Sequence, residues 1–475
     1  MRPDGSHCGG RALSSRPPRL SKVNRMSEYH RLEALAQQLL AAARKAGADQ
    51  ADAVALEAAA VSVDVRAGHL EHAERAEGVE IGLRVLVGGR QACVSASDRS
   101  ARTIEEMAAR AVAMAREAPV DDTLGLAEPE QLARDTDSGR LGLYDSSPEP
   151  TPEALQDVAL RAEAAALAVE GVSQIESAGA SHSQRHMWLA ATNGFSAGYG
   201  RSGHSLSTVA ITGEGLGMER DWAGESRVHA ADMPSPEEIG RLAALRTVAR
   251  RGARKPPTGA FPILYDERVA SGLIGHLVAA VNGASVARGA SWLRDALGEQ
   301  VLPKGFDLRE DPHRPRYGSS RLFDGEGLAT APRLMVADGV LQGWTLDLAT
   351  ARKLGMESTA NAMRGAGSPP SPGVTNLELT PGEKSREELI REMGRGLVVT
   401  SMLGASINST TGDYSRGAGG FWVENGEIAY AVNECTIAGN LRDMLLRMTA
   451  ASDLPDWRAM RVPSLLVEGM TVAGE

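Results

Sequence analysis

The amino-acid sequence predicts an α+β protein with mixed helices, antiparallel sheets and a strand-rich C-terminal domain. Segments with the apolar spacing of helices are interspersed with strand-like segments, and Gly-containing dipeptides mark tight turns between the strands. A doubly wound parallel sheet would require regular strand–helix alternation, which this sequence lacks. The length of 475 residues is sufficient for more than one domain.

We predict two domains and a basic N-terminal extension. The N-terminal α+β domain covers residues 26–252 and the C-terminal domain covers residues 258–475, because a basic, proline-containing segment, "GARKPPTGAF", lies between them. Residues 1–25 have five more Lys and Arg than Asp and are rich in Ser, Gly and Pro, a composition typical of disorder. We expect translation to start at Met26, with a transit peptide as the alternative.

The N-terminal domain is predicted to contain four helices and several antiparallel strands. Ser27 is expected to cap the first helix, which Gly47 ends. The second helix is expected to bury one apolar face, and residues 119–150 are predicted to form a long surface loop. The apolar face consists of Ile104, Met107, Ala111 and Met114. Further helices are predicted to begin at Thr151 and Ser235, and turns at Gly88-Gly89 and Asn193-Gly194.

The C-terminal domain is predicted to begin with a strand, "FPILYD", followed by a helix that contains "SGLIGHLVAAV", Ser271–Val281. The remainder is strand-rich. Asp338-Gly339 and Asn425-Gly426 lie between alternating apolar segments and predict hairpin turns.

The composition disfavours several functions and locations. A formal net charge of −10 disfavours direct nucleic-acid binding, which requires clustered Lys and Arg. No segment has the roughly 20 apolar residues that a membrane helix requires. The cysteines, Cys8, Cys93 and Cys435, are far apart, so a disulfide framework is not expected. We therefore predict a cytoplasmic protein that binds neither membrane nor nucleic acid.

His276 is the only titratable residue of the predicted helix Ser271–Val281. Its neighbours at helical spacing are Gly or apolar residues, which can neither bind a cation nor orient the imidazole. A zinc site requires three or four N, S or O ligands. We therefore interpret His276 as a packed, structural histidine.

Other candidate residues have similar structural interpretations. "GHLEHAE", which contains His69 and His72, is predicted to be a solvated hairpin, because residues three apart on a strand point to opposite faces. His182 and His186 lack an evident third ligand. Cys435 lies in a strand-like segment, where a buried thiol is usually inert. "GEGLG", residues 213–217, lacks the strand and helix that a dinucleotide site requires.

The segment from Asn408 to Tyr430, "NSTTGDYSRGAGGFWVENGEIAY", combines hydroxyl groups, glycines, an Asp and an Arg before a predicted hairpin. Arg416 could bind a carboxylate or a carbonyl-rich ligand, and a peptide could add to a free strand edge. Alternatively, the segment is a structural loop, which is stabilised by contacts between Asp413 and Arg416. Both interpretations remain open from the residues alone.

Three C-terminal segments resemble the TldE/PmbA family, the partner branch of the TldD/TldE metallopeptidases, and the N-terminal half matches it more loosely. They are "GHLVAAVNGASVARGASWLRDALGEQVLP", "ARKLGMESTANA" and "TTGDYSRGAGGFWVENGEIAYAVNECTIAGNLRDML". The resemblance implies a cytosolic heterodimer in which the TldD subunit binds zinc through a His-Glu-x-x-x-His helix and a C-terminal Cys. Unfolded peptides are expected to enter a channel at the subunit junction. The family is also called a modulator of DNA gyrase.

Alignment with the metal-binding helix of the zinc subunit places Gly275, His276 and Ala280 at the His, Glu and His positions. Both ligands and the general-base carboxylate are absent, and the C-terminal segment contains no Cys. The resemblance therefore implies a chain with no catalytic residue and no metal of its own, and zinc is expected in the TldD partner.

The principal hypothesis is a non-catalytic subunit of a peptidase heterodimer that takes up unfolded peptides. A stand-alone peptide- or protein-binding module is the alternative, and an independent hydrolase is a third hypothesis. The residues that we expect to line the substrate channel are Asn408, Thr411, Asp413, Tyr414 and Arg416.

Overall fold

The computed structural model describes residues 22–475, apart from the side chains of residues 22–28 and of Ala405. Helices and strands are mixed in both halves of the chain, which confirms the predicted α+β class. No helix within residues 22–475 is long and apolar enough to cross a membrane. Disorder was predicted for residues 1–25; residues 1–21 lie outside the described residues, and residues 22–25 belong to the first helix.

The N-terminal half consists of one antiparallel sheet and four helices. Its elements are α1 (Lys22–Ala46), β1 (Gln50–Arg66), β2 (His69–Val87), β3 (Arg90–Ala96), α2 (Ala101–Glu117), α3 (Pro152–Leu167), β4 (Val172–Ala191), β5 (Ser196–Thr212), β6 (Glu219–Arg227) and α4 (Pro236–Ala249). The six strands have the order β3-β2-β1-β4-β5-β6. The predicted turns at Gly88-Gly89 and Asn193-Gly194 connect β2 to β3 and β4 to β5, as expected.

All four helices contact the same face of this sheet. On β1, Ala53 belongs to the core that includes α1 and α2, whereas Val63 belongs to the core that includes α3 and α4. Side chains an even number of positions apart lie on the same face of a regular strand. The two helix pairs therefore pack side by side on one face.

The opposite face of the sheet is partly covered by residues 119–150, which were predicted to be a surface loop. This segment contains only short 3-10 turns, but Leu126, Leu141 and Leu143 are buried and pack in one core with Val54 of β1. The prediction was therefore wrong about exposure. Low periodicity indicated the irregular backbone, but it could not show that the isolated leucines cover an apolar sheet face.

Two predicted helix features were also wrong. Helix α1 begins at Lys22, so Ser27 lies within the helix and does not cap it. Residues 22–26 include no Pro or Gly that would end the helix before Ser27. In α2, Met114 is 48% exposed, whereas Ala115 is buried. The buried face therefore continues through Ala115, one position beyond the predicted residue.

The C-terminal half contains a large sheet, a smaller sheet and a two-stranded ribbon. Its elements are β7 (Gly259–Tyr265), α5 (Glu267–Ala280), α6 (Gly283–Ala287), β8 (Leu308–Glu310), β9 (Arg333–Ala337), β10 (Val340–Leu341), α7 (Leu348–Lys353), β11 (Ala362–Met363), β12 (Ser371–Pro372), β13 (Leu377–Leu379), α8 (Arg386–Met393), β14 (Gly396–Ile407), β15 (Asp413–Glu424), β16 (Glu427–Asn440), α9 (Leu441–Leu446), β17 (Met448–Ala450), β18 (Met460–Arg461) and β19 (Leu465–Ala473).

The large sheet has the order β16-β15-β14-β7-β19-β17, and a further pairing between β16 and β19 closes it into a ring. Strands β7 and β14 are parallel, and the other neighbours are antiparallel. The smaller sheet has the order β10-β9-β8-β13-β18. The predicted turns at Asp338-Gly339 and Asn425-Gly426 connect β9 to β10 and β15 to β16, and Asn425 has a φ of 55°. Asn tolerates this left-handed conformation better than most residues.

A buried ion cluster connects the two halves of the chain. Asp52 of β1 accepts hydrogen bonds from Arg84 of β2 and from Arg364, with 3.1 Å between Arg364 Nε and Asp52 Oδ1. Burial by itself would raise the pKa of Asp52, but the charges of Arg84 and Arg364 outweigh burial and the pKa is lowered. The carboxylate therefore compensates two guanidinium groups that are removed from water.

We predict that Asp52→Ala lowers the free energy of unfolding by about 3–5 kcal/mol, because it leaves buried guanidinium groups without their carboxylate. Urea unfolding monitored by circular dichroism would measure the change. The matched control is Glu105→Ala, which removes the exposed ion pair with Lys45 and should cost less than about 1 kcal/mol. Equal effects of the two substitutions would contradict a central role for Asp52.

Candidate functional site

Helix α5 is the structural centre of the candidate site. Its N-terminus is capped by Asp266, whose side chain accepts a hydrogen bond from the backbone N–H of Arg268. Leu273, Ile274 and Leu277 are buried against the sheet core. The helical period therefore leaves Gly275 and His276 on a partly exposed flank of the helix.

His276 packs against Tyr414 of β15. The ring centroids are 5.7 Å apart and the ring planes are inclined by 75°. Burial lowers the pKa of His276, and the positive charge of Arg416 lowers it further. The imidazole is therefore held neutral near pH 7. No carboxylate pairs with it among residues 22–475, so the structure provides no group that would orient it as a general base.

The hydroxyl group of Tyr414 is close to two other side chains of this core. It lies 3.4 Å from the Met402 sulfur and is close enough to Tyr265 to influence the ionisation of that phenol. Burial raises the pKa of Tyr414, and it raises the pKa of Tyr265 well above its ordinary value. Both phenols are therefore un-ionised at neutral pH.

The five predicted channel residues fall into two groups. Tyr414 contacts His276, and Arg416, two positions away on the same strand, acts electrostatically on the imidazole. Asn408 and Thr411 instead lie in the exposed turn between β14 and β15, and Asp413 is the exposed first residue of β15. In this turn the Thr411 hydroxyl donates to Asp413 Oδ2 at 2.6 Å, and the Asn408 side chain accepts from the backbone N–H of Thr411 at 3.3 Å.

Two expectations about this segment were wrong. Asp413 does not contact Arg416: it is bound by Thr411 and Asn440, while Arg416 Nε donates to the carbonyl oxygen of Gly404 at 2.8 Å. Positions 413 and 416 are an odd number of residues apart, so their side chains leave opposite faces of β15. In addition, β15 pairs with β14 and β16 on its two edges. It therefore offers no free edge for an added peptide strand.

The residues at the degenerate metal-helix positions do not fit zinc. Gly275 contributes no side chain, Ala280 is buried, and His276 is a single imidazole. Within the described residues, no group of three or more His, Cys, Asp or Glu side chains is placed to hold a metal ion. Three or four such ligands are needed for a zinc site, so no chemical step can be derived through a metal held by the described residues.

Cys435 of β16 is also unsuited to nucleophilic or metal-binding chemistry. Its sulfur lies 3.2 Å from the carbonyl oxygen of Ala418, and burial raises its thiol pKa to about 11. The thiolate required for attack or metal ligation is therefore scarce at neutral pH.

The remaining sequence candidates have structural roles. His69 and His72 lie in the exposed β1–β2 hairpin, as predicted, with a distance of 3.6 Å between His72 Nε2 and Glu74 Oε2. The glycine-rich residues 213–217 contain a 3-10 turn between β5 and β6 and do not precede a helix. This geometry does not match a dinucleotide-binding loop.

A histidine cluster on the N-terminal sheet was not predicted. His182 of β4 lies directly opposite His204 of β5, with ring centroids 4.5 Å apart. Asp145 Oδ2 lies 3.4 Å from His204 Nε2, and Asp145 Oδ1 lies 3.8 Å from His229 Nδ1. Glu149 also acts electrostatically on His182. The register of β4 and β5 pairs the two histidines, and the irregular segment 119–150 contributes Asp145 and Glu149, so spacing along the sequence gave no signal.

Three family models match most of the chain. They describe PmbA/TldA metallopeptidase domain 1, the central domain and the C-terminal domain, and they match residues 51–115, 145–251 and 258–474. The chain is 36% identical to Metalloprotease PmbA of Escherichia coli O157:H7 over 90% of this chain and 93% of the relative. A PmbA homologue of Haemophilus influenzae is 36% identical over 91% and 94% of the two chains.

Solved structures share the fold. A protein of Bacteroides thetaiotaomicron, described as a proposed modulator of DNA gyrase, has a TM-score of 0.85 at 25% identity, covering 96% of this chain and 100% of that chain. TldE from Thermococcus kodakarensis has a TM-score of 0.80 over 93% and 100% of the two chains. Its identity of 18% supports the fold alone.

The fold and the matching models together define a chain of the metallopeptidase-related PmbA/TldD class. Within this class, the chain belongs to the PmbA/TldE family. This confirms the resemblance found in the C-terminal segments.

We predict that acidification destabilises the fold through His182 and His204. Burial lowers the pKa of both histidines, and their mutual proximity lowers that of His182 further. The unfolded chain, in which histidine titrates near pH 6.5 (about the free value), therefore binds more protons than the folded chain. The free energy of unfolding should decrease as the pH falls below about 6.5, until the lowered folded-state pKa values are reached.

Urea unfolding at several pH values between about 5 and 7.5 tests this prediction. The double substitution His182→Gln/His204→Gln should flatten the pH dependence in this range. His69→Gln, at an exposed position of the β1–β2 hairpin, is the matched control and should retain it. A double variant with the slope of the unsubstituted chain would show that other groups cause the dependence.

Proposed function

We propose that this chain is the non-catalytic, zinc-free subunit of a TldD/TldE-type metallopeptidase complex that takes up and helps to degrade or process unfolded peptides in the cytoplasm. One observation carries the proposal: helix α5 has Gly275, His276 and Ala280 where the zinc subunit is expected to have its ligands and its general base. Membership of the PmbA/TldE family supports the choice of partner.

The proposed division of labour follows from metal chemistry. A zinc ion activates its bound water for attack on a peptide carbonyl, and a chain without ligands cannot supply that step. The relatives are named metalloproteases. This name fits the proposal if it describes the activity of the complex to which such a chain belongs. This chain would contribute channel walls, with Tyr414 and Arg416 as the candidates closest to α5.

A stand-alone peptide- or protein-binding module is the second candidate function. A groove of about 360 Å³ favours it, because all the residues that line this groove belong to the N-terminal half of the chain and none to α5. Its wall contains both signs of charge, including Arg31, Glu57, Arg75 and Glu149. Such a module would bind peptide as a monomer or homodimer without cleaving it.

Co-expression with a TldD-type subunit tests the principal proposal. We expect one stable complex on size-exclusion chromatography, and cleavage of unfolded peptides by the complex but not by this chain alone. A partner whose metal-binding histidines are replaced is the control, because it should remove cleavage while leaving binding between the subunits intact.

Two outcomes would contradict the proposal. One is the failure of the two chains to form a complex, and the other is undiminished cleavage by the TldD-type subunit when this chain is omitted. Peptide binding by this chain alone, together with either outcome, would support the binding-module function instead.

A further inference from the structure

Arg416 is a half-buried cation without an acidic partner in the described part of the chain. Its Nε donates to the carbonyl oxygen of Gly404 at 2.8 Å, and no ion pair involves it. By contrast, Arg268 in the first turn of α5 pairs with Asp221 and Asp266. The terminal N–H donors of Arg416 are therefore available for a ligand.

Arg416 shares one face of β15 with Tyr414, which is two positions away, and the regular pairing of β15 with β16 maintains this alternation. Tyr414 in turn contacts His276 on α5. Arg416 is close enough to act electrostatically on both rings. The three side chains thus form one cluster between α5 and β15.

The acidic residues nearest in sequence do not neutralise this cluster. Asp413 lies on the other face of β15, where Thr411 and Asn440 bind it. Asp266, at the start of α5, pairs with Arg268 and Arg386. The cluster therefore carries a net positive charge at the flank of the helix where a metal-binding relative would hold a cation.

There is room beside the cluster. A Cβ atom added at Gly275 would meet no heavy atom within 4 Å, and one added at Gly272 would meet only Met402 Cε, at 3.5 Å. Arg416 therefore lies on the face of β15 that contacts α5, and the flank of the helix on this side has open space, an arrangement suited to a peptide that carries an anionic group.

We propose that Arg416, with Tyr414 and His276 beside it, binds a carboxylate group of the peptide substrate. A guanidinium group can donate two parallel N–H···O bonds to a carboxylate, and such charge-assisted pairs are stronger than neutral hydrogen bonds. The inference rests on the proposed function for the peptide ligand. It adds the chemical class of the group that is bound: the flank of α5 selects an anion instead of holding a metal cation.

The carboxylate can come from a peptide C-terminus or from an acidic side chain. Three peptides of the same length, each with an uncharged fluorophore that lacks a carboxylate, separate these sources: one with a free C-terminal carboxylate, the same peptide as a C-terminal amide, and an amidated peptide with one internal Glu. Their affinities for the full chain would be measured by fluorescence anisotropy, with and without the TldD-type subunit.

We expect at least one carboxylate-bearing peptide to bind about tenfold more tightly than the neutral amide, as a charge-assisted pair requires. Arg416→Ala should abolish this preference, and Arg416→Lys should restore it only in part, because Lys lacks the planar fork. Arg447→Ala is the matched control at an exposed arginine of the same half of the chain and should retain the preference.

Equal affinities for all three peptides, or a preference that survives in Arg416→Ala, would overturn the inference. These outcomes differ from a failure of the proposed function. A complex that forms and cleaves peptides without a carboxylate preference would refute only the role of Arg416. A carboxylate preference in a chain that forms no complex would refute only the proposed partnership.

Discussion

The packing of α5 against the closed C-terminal sheet is the constraint that determines the chemistry of the site. Leu273, Ile274 and Leu277 must face the core, so the helical period places Gly275 and His276 on the flank that faces Tyr414 and the open surface. Pairing with β14 and β16 holds β15 on both edges, and the pairing of β16 with β19 closes the ring. The position of Arg416 relative to α5 is therefore fixed by backbone pairing and does not depend on a mobile loop.

The sequence predicted the local elements more successfully than the contacts between them. Caps at Thr151 and Ser235 and the Asn425-Gly426 turn depend on a few neighbouring residues, and the structure contains each of them. The His182–His204 pair and the burial of Leu141 depend on strand register and on the packing of distant segments. Such information is distributed along the chain, and a short sequence pattern cannot contain it.

The same distinction between local elements and long-range contacts applies to the candidate site. The resemblance located α5 and the β14–β15 region, and Tyr414 and Arg416 lie beside His276. The side of β15 on which each residue lies could be predicted from strand alternation, which places Asp413 and Arg416 on opposite faces. The closure of the large sheet into a ring could not be predicted from the sequence, because the short β16–β19 pairing removes a sheet edge that the local sequence leaves open.

The central claim of the proposal is that residues 22–475 provide no site for a catalytic metal and that the chain depends on a companion for it. The most direct measurement is the zinc content of the isolated chain after dialysis against a weak chelator, determined by inductively coupled plasma mass spectrometry. The account predicts far less than one zinc ion per chain, with zinc retained by the TldD-type subunit under the same conditions. One tightly held zinc ion per isolated chain would contradict it.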